Sequence, residues 1–279
     1  MKSICFLHIE KAAGTTLNEI MRNNFYFYYA VSPYLFNKNI DNQDFFLKKE
    51  ELNVIRKLIP NFVAYGGHSV RLYEDYGEDM IKFTFVRNPV DRYLSHYFYQ
   101  KQVMKVDWSI EEYLRHENFN NFMCKKICGF DSFEKAKKII DGDDVFVGVL
   151  EKFDESLILL KKFVDESQSA DDFVINYEVR NANTNKQGRE LQLLMNDYID
   201  RINDNNKEDI KLYKYAEKKV SDMFCGMGDA TLLLEKFRSS NKGFKFNRAN
   251  IIGYKLFKRL YLNRLERRVR DVSKLELSF

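Results

Sequence analysis

The chain has 279 residues, of which 45% are hydrophobic and 31% charged, so it can bury a substantial core in one domain or in one domain with an appendage. Its net charge of +4 is too small to indicate nucleic-acid binding, although it suits anionic ligands. The four cysteines form no disulfide framework and no zinc spacing with the histidines, which excludes a small secreted disulfide scaffold and predicts no metal site.

The sequence shows no signal-peptide pattern, and no apolar run approaches the roughly 20 residues of a transmembrane helix. Reduced cysteines are the default expectation for an intracellular protein. We therefore expect a soluble or membrane-peripheral protein in the cytoplasm, with no nucleic-acid partner.

The first element is an apolar run over residues 4–9, which predicts a buried strand. A small-residue turn follows, and Thr15 or Thr16 then opens an amphipathic helix. Such a connection can hold a phosphate, because backbone N–H groups and the positive helix end converge on an anion, and Lys11 adds a charge. It also suits an ordinary strand-to-helix connection whose threonine is only a cap. Taken alone, the stretch leaves both interpretations open.

The elements that follow alternate between helix and strand. Residues 25–31 fit either a strand or a continued helix, and residues 41–61 predict a helix. Residues 62–65 predict a short strand that leads into Gly66, Gly67 and His68, and a brief helix is expected over residues 69–76.

The middle of the chain begins with a clear strand over residues 80–86. Asn88 and Pro89 then favour a helix start, with asparagine as the cap and proline at the first helical position. Several short helices are predicted over residues 109–141, a strand over 145–149, and a helix after it.

The last predicted strand covers residues 173–177 and is followed by a polar loop over 181–189 and two helices, the second from about Asn206. This alternation predicts a three-layer α/β fold with a central, mainly parallel sheet, a P-loop-like strand–loop–helix unit and additional C-terminal helices. We expect an α/β domain over residues 1–240 and a basic amphipathic helical extension over 241–279.

In a parallel sheet the carboxyl ends of the strands meet at one edge, where ligands bind. Residues 8–14, 66–68 and 87–88 all follow predicted strands, so these three loops are expected to be neighbours. Arg87 at a strand end and Ser95 on the next helix could grip one phosphate from two sides.

Here the sequence resembles a known family. The stretch from Phe6 to Leu17 is similar to the 5′-phosphosulfate loop of sulfotransferases, and the stretch from Arg87 to Ser95 resembles their 3′-phosphate motif. Gly67-His68 after a short strand is similar to the carbohydrate sulfotransferases related to heparan sulfate 2-O-sulfotransferase. The resemblance covers roughly residues 4–220, and its paired phosphate motifs are the specific part.

The resemblance implies transfer of a sulfuryl group from 3′-phosphoadenosine 5′-phosphosulfate (PAPS) to a hydroxyl of a carbohydrate or glycolipid. Lys11 would stabilise charge as the nucleotide leaves, and His68 would be the general base. No metal would be needed in principle, because preorganised donors handle the charge on the transferring group. The implied donor-binding residues are Lys11, Ala13, Gly14, Thr15, Thr16, Leu17, Arg87 and Ser95.

The sequence departs from the family pattern at several positions. Glu10 replaces a proline, and a carboxylate beside an anion site is unfavourable unless it points away or acts on the acceptor. Asn88 replaces an aspartate but still suits a helix cap. In residues 121–129, Met123 and Lys125 replace a glutamine and an arginine of the pattern, which leaves the acceptor open.

Other candidate residues carry weaker expectations. Residues 183–189 could form a lid over the donor, and an acidic acceptor would need a basic cleft, for which Lys101, Lys105, Lys125 and Lys126 are candidates. His8 is expected to orient the loop, and His96 receives no role. Arg92 could reach the nucleotide or form a surface ion pair.

The basic segment over residues 242–272 has an apolar stripe at helical spacing, formed by Phe257, Leu260, Tyr261, Leu265 and Val269. It could pack on the domain with a solvated basic face, or it could contact a membrane surface, because basic amphipathic helices bind anionic lipids. The sequence does not indicate an oligomeric state.

Two other functions remain open. One is a P-loop kinase, although Lys11 precedes Gly14 by three residues and no Walker spacing is present. The other is a non-catalytic nucleotide-binding or interaction protein on the same fold.

Overall fold

A computed structural model describes residues 2–25, 28–31, 46–58, 63–77, 80–168, 172–178, 188–246, 248–264 and 267. Its centre is a five-stranded sheet in which every neighbouring pair is parallel, with the order β2-β3-β1-β4-β5. The strands are β1 (Ser3–Leu7), β2 (Tyr28–Ala30), β3 (Ala64–Gly67), β4 (Met80–Val86) and β5 (Val145–Val149).

Eleven α-helices surround the sheet in the described residues. They are α1 (Gly14–Asn24), α2 (Lys49–Leu58), α3 (Pro89–Gln102), α4 (Ile110–Arg115), α5 (Phe122–Cys128), α6 (Phe133–Ile140), α7 (Phe153–Gln168), α8 (Gly188–Asn205), α9 (Lys207–Cys225), α10 (Ala230–Asn241) and α11 (Arg248–Phe257). None of the described helices is long and apolar enough to cross a membrane.

All seven residues of β4 and all five of β5 are buried, which shows that both faces of the sheet are covered. Helices α6, α7 and α9 pack against β5, and α1 packs against β2. The predicted α/β fold with a parallel sheet and flanking helices is therefore confirmed.

Helices α3, α4 and α8 enclose a second, smaller core beside the sheet. It contains Tyr93, Leu94, Tyr97, Phe98, Ile110, Tyr113, Leu114, Phe119 and Ile202. This core holds α3 in place, and α3 carries part of the functional site.

Local sequence patterns correctly predicted the positions of several helices and strands. Asn88 caps α3, since its side chain accepts hydrogen bonds from the backbone N–H groups of Val90 and Asp91 at 3.0 and 3.3 Å. The open segment 25–31 contains strand β2. Helix α2 forms in the predicted helical region 41–61, of which residues 41–45 and 59–61 lie outside the described part.

Two predicted elements are absent from the described residues. Residues 173–177 do not pair with the sheet, because the backbone of Val174 bonds both ways with the Asn24 side chain, each at 2.7 Å. Residues 69–76 form turns rather than a helix, and the Arg71 side chain donates to the carbonyl oxygens of His68 and Val70. In both segments side-chain partners replace regular backbone pairing.

The C-terminal region packs on the domain. Phe246 and Leu262 are buried in the same hydrophobic cluster as the sheet, and Phe257 is half-buried against it. A π-helical turn, Lys258–Leu262, continues α11. Leu260, which the sequence places in the apolar stripe, is 58% exposed and does not pack on the domain. The side chains of Tyr261, Leu265 and Val269 lie outside the described residues.

Candidate active site

Three loops at the carboxyl ends of β1, β3 and β4 enclose one cleft of about 400 Å³, as expected from the parallel sheet. This volume lies in the range of small-molecule sites. The cleft is lined by His8, Glu10, Lys11, Ala13, Gly14, Thr15, Thr16, His68, Arg87, Ser95, His96, Tyr99 and Leu150.

The loop after β1 turns sharply into α1. Lys11 and Ala13 both have left-handed backbone conformations, with φ of 69° and 61°. The helix begins at Gly14, one or two residues before the predicted start at Thr15 or Thr16, and Ala13 provides no side-chain cap. The first N–H groups of the helix therefore lack the partner that a serine or threonine cap would supply, and Thr15 and Thr16 line the cleft beside them.

Gly14 is required by the close packing of His8 against the loop. A Cβ at this position would stand 1.6 Å from Nε2 of His8. Asn18 holds the arrangement, since its side-chain N–H₂ donates to the Gly14 carbonyl at 2.7 Å and lies 3.4 Å from Nδ1 of His8. Tyr28 in turn donates to Asn18 at 2.6 Å. Asn18 and Tyr28 were not identified from the sequence.

Lys11 and Arg87, which belong to the two separate candidate phosphate motifs, both line the cleft. Nη1 of Arg87 donates to the carbonyl oxygen of Lys11 at 3.2 Å, which joins the loop after β4 to the loop after β1. Nζ of Lys11 lies 4.8 Å from the centre of the Tyr99 ring. Burial lowers the pKa of Lys11, and the nearby Arg87 lowers it further. A bound anion would oppose this lowering, because it favours the charged form of Lys11.

His68 is oriented by its Nδ1 atom. Nδ1 lies 3.0 Å from the carbonyl oxygen of His8 and 3.2 Å from Oε1 of Glu10, and both oxygens are acceptors. Nδ1 therefore carries the hydrogen, and Nε2 of the neutral ring has a free lone pair. The ring stacks on His8 at 4.0 Å. Burial lowers the pKa of His8 to about 3, and repulsion from His68 adds to this shift when that ring is protonated, so His8 stays neutral.

Glu10 points away from the phosphate loop. Its Oε1 atom lies 3.3 Å from Nζ of Lys126, which is itself 3.3 Å from the carbonyl oxygen of His68. Although burial by itself raises the pKa of a carboxyl, Lys126 and His68 hold the pKa of Glu10 well below its usual range. Burial lowers the pKa of Lys126, and the Glu10 carboxylate opposes this shift. The carboxylate is therefore charged.

Helix α5 places Lys126 beneath His68. The buried Asp209 of α9 accepts from the N–H groups of Met123 and Cys124 at 2.9 and 2.8 Å, and Asn121 accepts from Glu208 and Asp209. Burial raises the pKa of Asp209. This docking buries Met123 completely, so Met123 does not face the cleft.

The structure brings together nearly all predicted site residues. Leu17 alone lies outside the cleft, because its side chain is fully buried in the core and its N–H bonds to the Ala13 carbonyl at 3.1 Å. The possible lid over residues 183–189 falls outside the described residues except for Gly188 and Arg189, which begin α8.

His96 and Arg92 differ from their sequence interpretations. His96 lines the cleft and is 2.6 Å from the Tyr113 hydroxyl. Burial, followed by Arg92, lowers the pKa of His96 to about 3. Arg92 neither reaches the cleft nor forms a surface ion pair, because it is fully buried against Phe122 and donates to the Phe119 carbonyl.

A second pocket of about 540 Å³ lies next to His68. It combines cations with aromatic rings and is lined by Phe46, Arg71, Tyr73, Asn118, Phe122, Lys125, Lys126, Gly129, Phe130 and Asp131. Arg71 and Lys126 connect the two cavities, since both donate to the His68 carbonyl. Within the described ranges, no cluster of His, Cys, Asp and Glu is arranged to hold a metal ion.

Comparison with known proteins adds one family match. The model of the sulfotransferase family matches residues 1–144, just over half of the 279 residues. No curated protein sequence matches the chain. Among solved structures, a sulfotransferase from Alicyclobacillus acidocaldarius is similar at 16% sequence identity and a TM-score of 0.39, covering 77% of this chain and 99% of that chain.

Proposed function

The chain belongs to the sulfotransferase family, and from that membership we propose that it transfers a sulfuryl group from PAPS to a hydroxyl of a carbohydrate or glycolipid acceptor. One observation carries the proposal. Arg87 bonds to the backbone of Lys11, so two anion-binding elements open onto one cleft that also contains His68. A ligand with phosphate groups at both ends fits this arrangement better than a ligand with a single phosphate chain.

The residues of the cleft fit such a donor. The uncapped start of α1 and the hydroxyls of Thr15 and Thr16 offer donors for a 5′-phosphosulfate. Arg87 and Ser95 would hold the 3′-phosphate. Lys11 would neutralise the charge that develops on the 5′-phosphate oxygen when its bond to sulfur breaks. The donor supplies the activated sulfuryl group.

In this proposal His68 activates the acceptor. Its Nδ1–H is held by the His8 carbonyl and Glu10, so Nε2 can take the proton of the acceptor hydroxyl as that oxygen bonds to sulfur. The imidazole becomes positively charged in this step. The Glu10 carboxylate, 3.2 Å from Nδ1, would stabilise that charge. Glu10 is thus a positioning residue for the base.

The second pocket is the proposed acceptor site, because it shares Lys126 and Arg71 with the environment of His68. Tyr73 and Phe130, which are partly exposed, can stack on a sugar ring. Nζ of Lys125 lies 3.3 Å from Oδ1 of Asp131, so its positive charge balances the Asp131 carboxylate within the pocket. The same ammonium group could also bind an acidic acceptor.

Calorimetric titration separates the proposed function from a kinase. We expect 3′-phosphoadenosine 5′-phosphate to bind at least about tenfold more tightly than ATP, because only the first carries the 3′-phosphate that Arg87 and Ser95 would hold. Equal or tighter binding of ATP would overturn the proposal in favour of a nucleoside-triphosphate enzyme. Binding of the nucleotide without any sulfuryl transfer would instead support the non-catalytic alternative.

A further inference from the structure

Helix α11 is attached to the domain by one face. Leu262 of the following turn is buried, with 1% exposed, and Phe257 packs partly buried against the core. Tyr254 is also partly buried, and the Arg22 guanidinium lies 4.7 Å from the centre of its ring. These contacts use the apolar side chains that hold an amphipathic helix on a domain.

A second apolar row faces away from the domain. Ile252, Leu256 and Leu260 are 58%, 52% and 58% exposed. They are spaced four residues apart, so they lie along one side of the helix. Large apolar side chains exposed in a continuous row indicate an interaction surface more often than isolated ones do.

Positive charges accompany this row. Residues 248–264 contain five Lys or Arg residues and no Asp or Glu. Lys255 and Arg259 follow Ile252 and Leu256 by three residues, which places them next to the row. Both are exposed, and in the described part of the chain neither forms an ion pair with an acidic residue.

We propose that the outer face of α11, formed by Ile252, Lys255, Leu256, Arg259 and Leu260, docks on the surface of an anionic lipid bilayer. The apolar side chains would enter the boundary between headgroups and acyl chains, while the cationic ends reach the lipid phosphates. A surface with many anions complements the exposed cations beside the row, and this charge complementarity favours a lipid over an apolar protein partner.

Helix α11 contacts α1 at the end of that helix farther from the cleft. Tyr254 contacts Arg22 near the end of α1, eight residues after Gly14, which is about 12 Å along the helix axis. The inference does not depend on the proposed sulfuryl transfer, since it rests on α11 alone.

Vesicle co-sedimentation of the full chain tests the proposal. We expect binding to phosphatidylcholine vesicles that also contain phosphatidylglycerol, little binding to phosphatidylcholine alone, and loss of binding in high salt. The variant Ile252→Ser/Leu256→Ser/Leu260→Ser and the variant Lys255→Gln/Arg259→Gln should each bind about tenfold more weakly. The exposed positions allow these changes without loss of folding, which circular dichroism would verify.

The matched control is Val103→Ser/Met104→Ser, which removes two apolar side chains of similar exposure, 61% and 54%, outside α11. It should bind vesicles like the parent. The proposal is overturned by absence of vesicle binding, by equal binding to neutral vesicles, or by an equal loss in the control. It is also overturned if the α11 variants change only the oligomeric state, which would identify a second copy of the chain as the occupant.

Discussion

The carboxylate of Glu10 lies 3.2 Å from Nδ1 of His68, on the side of the ring opposite the nitrogen that would act on an acceptor. This position explains how the phosphate loop tolerates an acidic residue where the family pattern has proline. The charge is directed away from the anion site and is shared between His68 and Lys126. Glu10 is therefore linked to the proposed base His68 rather than to the proposed donor-binding groups.

The variant Glu10→Gln should lower kcat by about tenfold to a hundredfold, because an amide cannot stabilise the positive charge that forms on the imidazole. The affinity for 3′-phosphoadenosine 5′-phosphate should change by less than about twofold, since the Glu10 carboxylate is directed at His68 and Lys126 rather than at the phosphate-binding groups. Steady-state kinetics and calorimetry measure the two quantities. Parallel losses in kcat and nucleotide affinity would show that Glu10 supports the loop as a whole.

The effect of the Glu10–Lys126 ion pair on the free energy of unfolding serves as a control for the kinetic result. Removing only the carboxylate leaves the buried Lys126 without its partner and should cost about 3 kcal/mol in the free energy of unfolding. Replacing both, in Glu10→Gln/Lys126→Met, should recover most of this stability but not kcat. Urea denaturation separates the structural loss from the catalytic one.

The variant Arg87→Ala should weaken the binding of 3′-phosphoadenosine 5′-phosphate by about tenfold to a hundredfold, the value of a charge-assisted hydrogen bond. Binding of 5′-AMP, which lacks the 3′-phosphate, should change far less. Calorimetry with both nucleotides checks this, and Arg115→Ala on the exposed side of α4 is the control. Equal losses for the two nucleotides would place Arg87 elsewhere than at the 3′-phosphate.

The variant Gly14→Ala should destabilise the chain by about 2 kcal/mol or more and abolish nucleotide binding, because its Cβ would overlap the His8 ring. In a His8→Ala background the same change should cost less than about 1 kcal/mol. Gly253→Ala, where nothing lies within 4 Å, should be neutral or stabilising. Thermal unfolding measures all four; an unchanged cost in the His8→Ala background would reject the steric explanation.

The buried neutral histidines should make stability depend on pH. The pKa of His96 falls to about 3 in the folded chain, against an ordinary value of about 6.5, so below pH 6.5 the unfolded chain binds a proton that the folded chain does not. The free energy of unfolding therefore decreases as the pH falls from 6.5 towards 3, by up to about 1.4 kcal/mol per pH unit for this residue.

Urea denaturation between pH 7 and pH 5 measures this slope, to which His8 contributes in the same direction. The variant His96→Gln should reduce the slope by about one proton, whatever its effect on stability at pH 7. A slope that is the same in the variant and the parent would show that His96 is already protonated when folded.

The sequence predicted those parts of the fold that depend on local pattern. Strand β4 follows from its apolar run, and the start of α3 follows from Asn88 and Pro89. The strand predicted over residues 173–177 was wrong. An apolar β-like run does not reveal that the Asn24 side chain bonds to the backbone of this segment. Such a contact depends on tertiary packing.

The meeting of the candidate loops was predicted to a similar extent. Parallel strand ends indicated that the loops of Lys11, His68 and Arg87 meet, and the structure brings them into one cleft. Lys126 was predicted as a cleft lysine, but the burial of Lys126 and His96 was not evident, because their surroundings arise from the docking of α5 and α3 rather than from spacing within a motif. The apolar row on α11 likewise becomes visible only when the packed face of the helix is known.

The most direct test of the proposed function is transfer of label from sulfur-35 PAPS to a panel of carbohydrate, glycolipid and small hydroxyl acceptors. The parent chain should label at least one acceptor, and His68→Ala should bind 3′-phosphoadenosine 5′-phosphate with the parent's affinity while its turnover falls by about 10²–10⁴-fold. Full turnover by His68→Ala, or transfer of the γ-phosphate of ATP in place of the sulfuryl group, would contradict it.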